Sequence, residues 1–516
     1  MRTRYTNAKA YLGHGHYCDN FIVEDDKFLS LCTSEDDEVD MEVDLHGKVV
    51  LPGFVDSHLH VYGTGKRLSF CDLRSITSIN ELISKKNEWI KRARQGVIIG
   101  YNWNQDHFEE KRLPTKHDLD EISKESPIVF GRVCGHIAVL NSKALEVASI
   151  TQDTPSLEGG TIDFKKGILY ENAQSYLKKI YPPLTLEDVL DYYKLGIKAC
   201  QSLGITTTMS NDIGLEGGSL TLEAIQEIYR KERPLRLIHK ISSEDPASLD
   251  HFLQSKREAE DIHLFGPIKL FKDGTLGART SLMKEPYKDD PTTGISTITQ
   301  EKLEEMVIYG EKTKRNVMVH AIGDKAISDV LDAFEKHMTK GNPLGHAVVH
   351  GQITSMDELK RAADLRVPIL YQPIFLDYDL HIVESRVGKA LASTSYAFKT
   401  FKDLGGIMAF GSDAPVDSLN PFEGIQCALT RQDLKGNPTE GYNPNEALSL
   451  NECIEAYTKT SAKVCGLEGI TGEIKEGLKA DFIVLDRDIF NTPIHEIKNT
   501  KVLATYFEGR LVHGGL

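Results

Sequence analysis

Leu51-Pro52-Gly53-Phe54-Val55-Asp56-Ser57-His58-Leu59-His60 is the stretch on which the fold turns. Val49 and Val50 lead into it and Phe54 and Val55 continue it, the apolar character of a buried strand. Side chains on an extended backbone alternate between faces, so the imidazoles of His58 and His60 point the same way. Two same-side imidazoles at the end of a buried strand are the beginning of a divalent-metal site. Alone, a His-x-His pair fits structural histidines as well. Companion residues farther along the chain decide between the two.

Four later positions close strand-like runs. Lys269 lies in Ile268-Lys269-Leu270-Phe271, and His320 ends Val317-Met318-Val319-His320. His350 ends Ala347-Val348-Val349-His350, and Asp413 follows Ala409-Phe410-Gly411-Ser412. A (β/α)8 barrel spends about 30 residues on each strand-and-helix unit. His320 and His350 are 30 residues apart, which is one unit; His350 and Asp413 are 63 apart, which is two. Lys269 and His320 are 51 apart, one unit with a long loop. The spacing predicts strands 1, 4, 5, 6 and 8 of a TIM barrel, with these side chains at the C-terminal strand ends where barrel enzymes build their sites. Further strand candidates lie at 97–100, 128–130, 205–208, 367–371 and 407–410, and helix candidates at 301–313, 324–336 and 356–364. Strands alternating with helices make an α/β protein. His60 and Lys269 are 209 residues apart, whereas strands 1 to 4 need only about 90–100. An insertion is therefore expected after strand 1, at about 66–190.

The two ends of the chain share a style. Strand candidates at 20–24, 27–31 and 48–50 precede the barrel, and others at 481–485, 502–507 and 510–513 come after it. The two ends could together form one small β domain, from residues 1–52 and 471–516, around a barrel at 53–470. The acidic run Glu35-Asp36-Asp37-Glu38 reads as a solvated loop.

Composition excludes several function classes. The 516 residues carry 61 Lys and Arg against 76 Asp and Glu, a formal charge of −15. That balance argues against a nucleic-acid surface. No apolar run approaches the roughly 20 residues of a membrane helix, and Met1-Arg2-Thr3-Arg4-Tyr5 lacks the apolar core of a secretory signal. Eight cysteines are scattered without a Cys-x-x-Cys pair, as ordinary thiols of a reducing compartment are. The expectations are a cytoplasmic protein with a small-molecule substrate and neither a nucleic-acid nor a membrane partner. A homodimer is compatible with them.

The residue types suit metal-assisted hydrolysis. Neutral imidazoles and a carboxylate hold an ion such as zinc while leaving a position for water, and the ion lowers the pKa of that water toward about 7. Asp413 can take the proton and pass it to a leaving amine. Lysine is a poor ligand unless carbon dioxide carboxylates it, which would make it an anionic oxygen bridge between two ions.

These stretches, with Gly135-His136-Ile137-Ala138-Val139-Leu140-Asn141-Ser142, Lys269-Leu270-Phe271-Lys272-Asp273-Gly274, His320-Ala321-Ile322-Gly323-Asp324 and Gly477-Leu478-Lys479-Ala480-Asp481-Phe482, resemble the amidohydrolase superfamily over essentially the whole chain. The resemblance is to its YtcJ-like branch, amidohydrolase family 3. It implies a TIM barrel with a composite β-sandwich made from both termini, metal ligation by His58, His60, His320 and His350, and Asp413 as ligand and general base. It also implies Lys269 as the carboxylated bridge, with one or two ions, zinc first among them. The activity implied is hydrolysis of a non-peptide C–N bond in an amide, N-formyl, carbamate or cyclic amide group. A hydrolytic deaminase and a non-catalytic scaffold protein are the alternatives.

Some readings stay open at this point. Family members usually carry an Arg and a Glu before the strand-6 histidine; here the stretch is His346-Ala347-Val348-Val349-His350, and His346 rivals His350. Lys272 rivals Lys269, although parity places Lys269 with Asp273. Asp413 has a rival role as a helix cap. Three further residues are substrate-contact candidates. His136 contacts substrate or satisfies a loop, Trp103 is a pocket wall or core, and Arg279 grips a substrate carboxylate or braces its loop.

Overall fold

An eight-stranded parallel sheet organises the protein, whose computed structural model describes residues 1–33, 37–132, 136–155, 157–214, 218–255 and 262–515. Its strands are β1 (Phe54–Leu59), β2 (Ile205–Ile213), β3 (Arg236–Ser242), β4 (His263–Phe271), β5 (Val317–Ala321), β6 (Ala347–His350), β7 (Ile369–Tyr371) and β8 (Met408–Phe410), neighbours in that order. The ring closes where Asp413 N donates to His58 O at 2.7 Å and His60 N donates to Ala414 O at 2.8 Å. This is the TIM barrel that the spacing of the strand ends predicts. Val55, Met209, Ile238, Met318, Val349, Leu370 and Ala409, one from each of seven strands, pack into one core with Ala462, Val464 and Leu467.

Helices Gln300–Thr313, Asp324–His337 and Met356–Asp364 lie between strands as expected. The first starts where the Thr299 side chain accepts from Lys302 N at 3.2 Å. The third starts at a capping box of Ser355 and Glu358, which satisfies backbone donors the helix cannot pair internally. One barrel strand escaped the sequence reading. β3 carries Arg236, His239 and Lys240, which interrupt its apolar pattern, yet all three are fully buried. Each is buried with a polar partner, which is what makes a charged strand tolerable inside a barrel.

The two chain ends interleave. One sheet orders 27–31, 21–24, 2–6 and 41–44; the other orders 510–514, 502–507, 482–485, 49–52, 9–13 and 16–18. The C-terminal strand Phe482–Leu485 pairs antiparallel with the N-terminal strand Val49–Pro52. Tyr5, Phe21, Phe28, Phe482 and Tyr506 pack together in one core, so a single hydrophobic cluster draws on both ends of the chain.

Residues 1–63 and 196–516 form one compact unit, and Thr64–Leu195 form another inserted between β1 and β2. The inserted unit has a six-stranded sheet whose central strands are apolar on both faces. Ile98, Ile128, Phe130 and Val139 go to one core cluster; Ile99, Val129, Ala138 and Leu140 go to the other. That is the period-two alternation of a sheet buried on both sides.

Among the described residues no helix is long and apolar enough to cross a membrane. The described cysteines are free thiols, and two of them, Cys18 and Cys32, place their sulfurs 2.7 Å apart. Glu35 and Asp36 of the acidic run, Cys134, and Gly135 of the Gly135-His136 stretch lie outside the described residues.

Candidate metal centre

The C-terminal ends of β1 and β8 are laced together by one buried carboxylate. Asp56 accepts from His58 N at 3.0 Å, from Ser412 N at 3.1 Å and from Ser412 Oγ at 2.7 Å. Burial pushes its carboxyl up to about 7, against those hydrogen bonds. Asp212, at the end of β2, accepts from Tyr62 N at 3.0 Å and Ser210 Oγ at 2.5 Å, and lies 3.8 Å from His60 Nδ1. Asp413 and His350 both hold left-handed backbones, with φ of 55° and 80°. Strain of this kind costs about 1–3 kcal/mol per residue and concentrates at functional sites.

This scaffold brings three donors to one point. His58 Nε2 lies 3.3 Å and His60 Nε2 3.4 Å from Asp413 Oδ1. One ligand atom from each residue lies within 4.8 Å of the others. Donors about 2.0–2.2 Å from a tetrahedral ion are about 3.4 Å from one another. Asp413 Oδ1 is buried and has no hydrogen-bond partner. A buried carboxylate oxygen needs a counter-charge or donor, so the residues present fit a cation.

The remaining imidazoles adjoin this trio. The His350 ring lies 5.4 Å from that of His58 and 4.6 Å from that of His320, centroid to centroid. His350 Nδ1 meets Gln372 Oε1 at 2.7 Å, which orients the ring and leaves Nε2 available. His320 Nε2 lies 3.0 Å from Gly274 O and 3.4 Å from Asp273 Oδ1. Asp273 in turn accepts from the backbone of Leu282, Ile322 and Gly323, tying the end of β4 to that of β5. Burial, then neighbouring Lys240 and Lys269, keep the His58 pKa well below its usual value. Burial and Lys269 take His320 down to about 3, and burial with His320 and Lys269 lowers His350. Imidazoles held neutral are in the form that ligates. His60 departs from this: burial lowers its pKa, but Asp413 and Asp212 together raise it on balance.

The geometry places the two pairs of rivals left open by the sequence differently. His346 is fully buried and fully engaged: Nδ1 accepts from Val317 N at 2.9 Å, and Nε2 lies 3.0 Å from Glu311 Oε1. It is a structural histidine. Lys272 Nζ turns to Asp329 at 3.3 Å and to Ile298 O at 3.3 Å. Lys269 is the lysine near the histidines; its Nζ lies over the Phe271 ring, 3.9 Å from the centroid, and donates to Leu270 O at 3.2 Å. Burial, then Lys240, lower its pKa well below the usual ammonium value.

A second lysine was missed from the sequence. Lys240 of β3 donates to Ser57 O at 2.9 Å and places Nζ 2.6 Å from His58 Nδ1. Burial pushes its pKa down to about 7. As a neutral amine it can accept from His58 Nδ1–H, the tautomer that frees Nε2. The available signal was a charge set inside Leu237-Ile238-His239-Lys240-Ile241. Gln372, one residue past β7, had no comparable signal.

The three substrate-contact candidates fare differently. Trp103 is fully buried in the core of the inserted unit, with its indole N–H donating to Phe130 O at 2.8 Å. It is a core residue and not a pocket wall. The Arg279 guanidinium is committed to Asp289, with hydrogen bonds of 3.0 and 2.8 Å. Asp289 is shared with Arg386, so Arg279 braces its loop and its fork is not open to a substrate carboxylate. His136 is an exposed residue of the inserted unit whose Nδ1 lies 2.7 Å from Glu171 Oε2.

Comparison with known proteins agrees with this geometry. The sequence profile described as the amidohydrolase family matches residues 41–513. The Bacillus subtilis protein YtcJ is 34% identical over 92% of this chain and 90% of its own length. N-substituted formamide deformylase of Arthrobacter pascens is 24% identical over 92% of this chain and 90% of its own. The crystal structure of an uncharacterized metal-dependent hydrolase from Pyrococcus furiosus superposes with a TM-score of 0.75 at 30% identity, covering 95% of this chain and 99% of that one.

Proposed function

The chain belongs to the amidohydrolase family, and on that premise we propose that this hydrolase uses a divalent metal to cleave a non-peptide C–N bond in an amide, N-formyl, carbamate or cyclic amide group. The observation that carries the reading is Asp413 Oδ1, a buried carboxylate oxygen with no hydrogen-bond partner, 3.3–3.4 Å from two imidazole nitrogens. His58, His60 and Asp413 would hold the ion, with His350 and His320 beside them, and their N and O donors suit zinc. The chemistry such an ion supplies is acidification of a water toward about pH 7 and polarisation of the carbonyl. Asp413 turns Oδ1 to the imidazoles, so Oδ2 is the atom that takes the proton from water and returns it to the leaving nitrogen. Lys240 holds His58, and Gln372 holds His350. Lys269, desolvated and kept from its ammonium form, is the lysine suited to carboxylation.

The Arthrobacter pascens relative is named for action on N-substituted formamides, which makes N-formyl amines the first compounds to try. A second reading, a hydrolytic deaminase, is favoured by one observation. Among the described His, Cys, Asp and Glu side chains, the compact ligand group is His58, His60 and Asp413, which accommodates one ion. Metal analysis of purified protein, followed by a screen of N-formyl, N-acyl, carbamate and cyclic amide compounds, separates the readings. We expect bound divalent metal and release of an amine with a carboxylate or formate. Ammonia as the sole nitrogen product supports the deaminase. Metal content and affinity unchanged in a His58→Ala, His60→Ala double variant would sink both.

A further inference from the structure

We propose that the end of the substrate remote from the scissile bond is a protonated amine or amidinium, held by Asp379 together with Gln352 and Asp417. The proposal rests on the hydrolase reading only for which end of the substrate reacts.

A cleft of about 330 Å³ opens at the C-terminal ends of β4 to β8. It adjoins the metal centre through Phe375, which stacks on His350 with centroids 6.1 Å apart. Its polar lining comprises Thr275, Gln352, Tyr378, Asp379 and Asp417, and among the described residues no Lys, Arg or His lines it. Asp379 is 8% exposed. Its Oδ2 is occupied, accepting from Tyr396 Oη at 2.5 Å and Gln352 Nε2 at 3.3 Å. Burial pushes its carboxyl up to about 6, and no cation counteracts that. Asp417 is likewise raised to about 6, by burial and then by Asp377, Glu423 and Asp379.

A second observation is independent of this charge. Gln352 is 3% exposed, and its Oε1 is buried without any hydrogen-bond partner. A buried carbonyl oxygen left open costs about 1–3 kcal/mol, and the residue that carries it lines the same cleft as the two carboxylates. Two carboxylates and an open carbonyl are acceptors only. They are complementary to a group that donates several N–H bonds and carries positive charge. A neutral ligand end would leave the carboxylates uncompensated, and an anionic one would be repelled. Phe375, Leu276 and Ile322 supply apolar wall for a short alkyl spacer. The substrate class is an N-acylated or N-formylated amine that bears a second basic nitrogen.

The test is calorimetric titration of the purified holoenzyme with 1,5-diaminopentane and with its neutral counterpart 1,5-pentanediol. We expect the diamine to bind at least about tenfold more tightly than the diol, and Asp379→Asn to weaken it by about 10- to 100-fold. Asp417→Asn, at a less buried position, carries the same test if the Asp379 variant does not fold. Equal binding of diamine and diol, or diamine binding unchanged in both variants, overturns the proposal. A hydrolysis arm separates it from the wider reading, using mono-N-formyl-1,5-diaminopentane against N-formylpentylamine. If neither is cleaved while diamine binding depends on Asp379, the hydrolase reading is what has failed. If both are cleaved with equal kcat/KM, the hydrolase reading stands and this inference falls.

Discussion

Strand β3 buries a basic side chain in each of two networks four residues apart, and the two are built on opposite terms. Arg236 is fully buried, and its Nη1 donates to Asp481 Oδ2 at 2.7 Å and to Thr207 Oγ1 at 3.2 Å. Its Nη2 donates to Glu508 Oε1 at 3.2 Å. Asp481 also accepts from Thr471 Oγ1 at 2.6 Å and Glu508 N at 2.8 Å. No buried side-chain atom of Arg236, Asp481 or Glu508 is left unsatisfied, whereas around Lys240 and the rim Asp413 Oδ1, Ser57 Oγ, Asn211 Nδ2 and Gln352 Oε1 are. The Arg236 network closes on itself, and so avoids the cost of about 1–3 kcal/mol that each open atom carries. The rim keeps its atoms open where an ion and a substrate can complete them. Burial of a basic side chain alone does not distinguish the two regions; completeness of pairing does.

The sharpest way to break this contrast is to swap one atom on each side. Asp413→Asn removes the carboxylate but keeps the shape, and Asn tolerates the left-handed φ as readily as Asp. We expect kcat to fall by about 10²- to 10⁴-fold, with the thermal unfolding midpoint nearly unchanged. Retention of full activity would leave the general-base assignment without support. Arg236→Met is the mirror experiment. It strands Asp481 and part of Glu508 in the interior, and breaking a buried pair on one side costs about 3–5 kcal/mol. Urea unfolding should show that loss, while kcat/KM of the protein that remains folded should hold within about threefold.

The same contrast explains what the sequence could disclose. His58, His60, His320, His350 and Asp413 were legible because each ends an apolar run, and the runs recur at barrel spacing. Their supports were not. Lys240 looks like an error in a strand until Ser57 O and His58 Nδ1 are seen beside it. Gln372 reaches His350 across two strand ends, and no local pattern announces a contact 22 residues away. Asp379 ends the short helix Leu376–Asp379 and Asp417 lies in the loop after β8, and only the folded cleft brings them together. Trp103 and Arg279 show the opposite failure. A large aromatic and an arginine near expected loops invite a binding role, yet local partners, Phe130 O and Asp289, engage both. Periodicity reports which strand ends exist, whereas pairing between them is a property of the closed ring.

Lys240→Met tests whether a support unseen in the sequence belongs to the site. Met keeps the stem volume and withdraws the group that orients His58 Nδ1. Loss of such a partner typically weakens metal affinity by about 10- to 100-fold. Competition with a chelator should show that loss at an unchanged unfolding midpoint. A lower midpoint with unchanged metal affinity would move Lys240 to the structural side of the comparison.

The smallest effect is expected at the lysine that parity set aside. Lys272 Nζ contacts Asp329 Oδ2 at 3.3 Å, Ile298 O at 3.3 Å and Gln300 Oε1 at 3.4 Å. Asp329 retains Lys325 as a second cation, so removing Lys272 does not isolate it. Lys272→Met should therefore cost only about 1 kcal/mol and leave kcat and metal content within about threefold of the parent. Lys269→Met, three residues away, should lower activity by about 10- to 100-fold, because that amine lies among the histidines. If the two variants behave alike in activity, the face assignment along the end of β4 is wrong, and the division between closed and open networks fails on the strand where it is easiest to check.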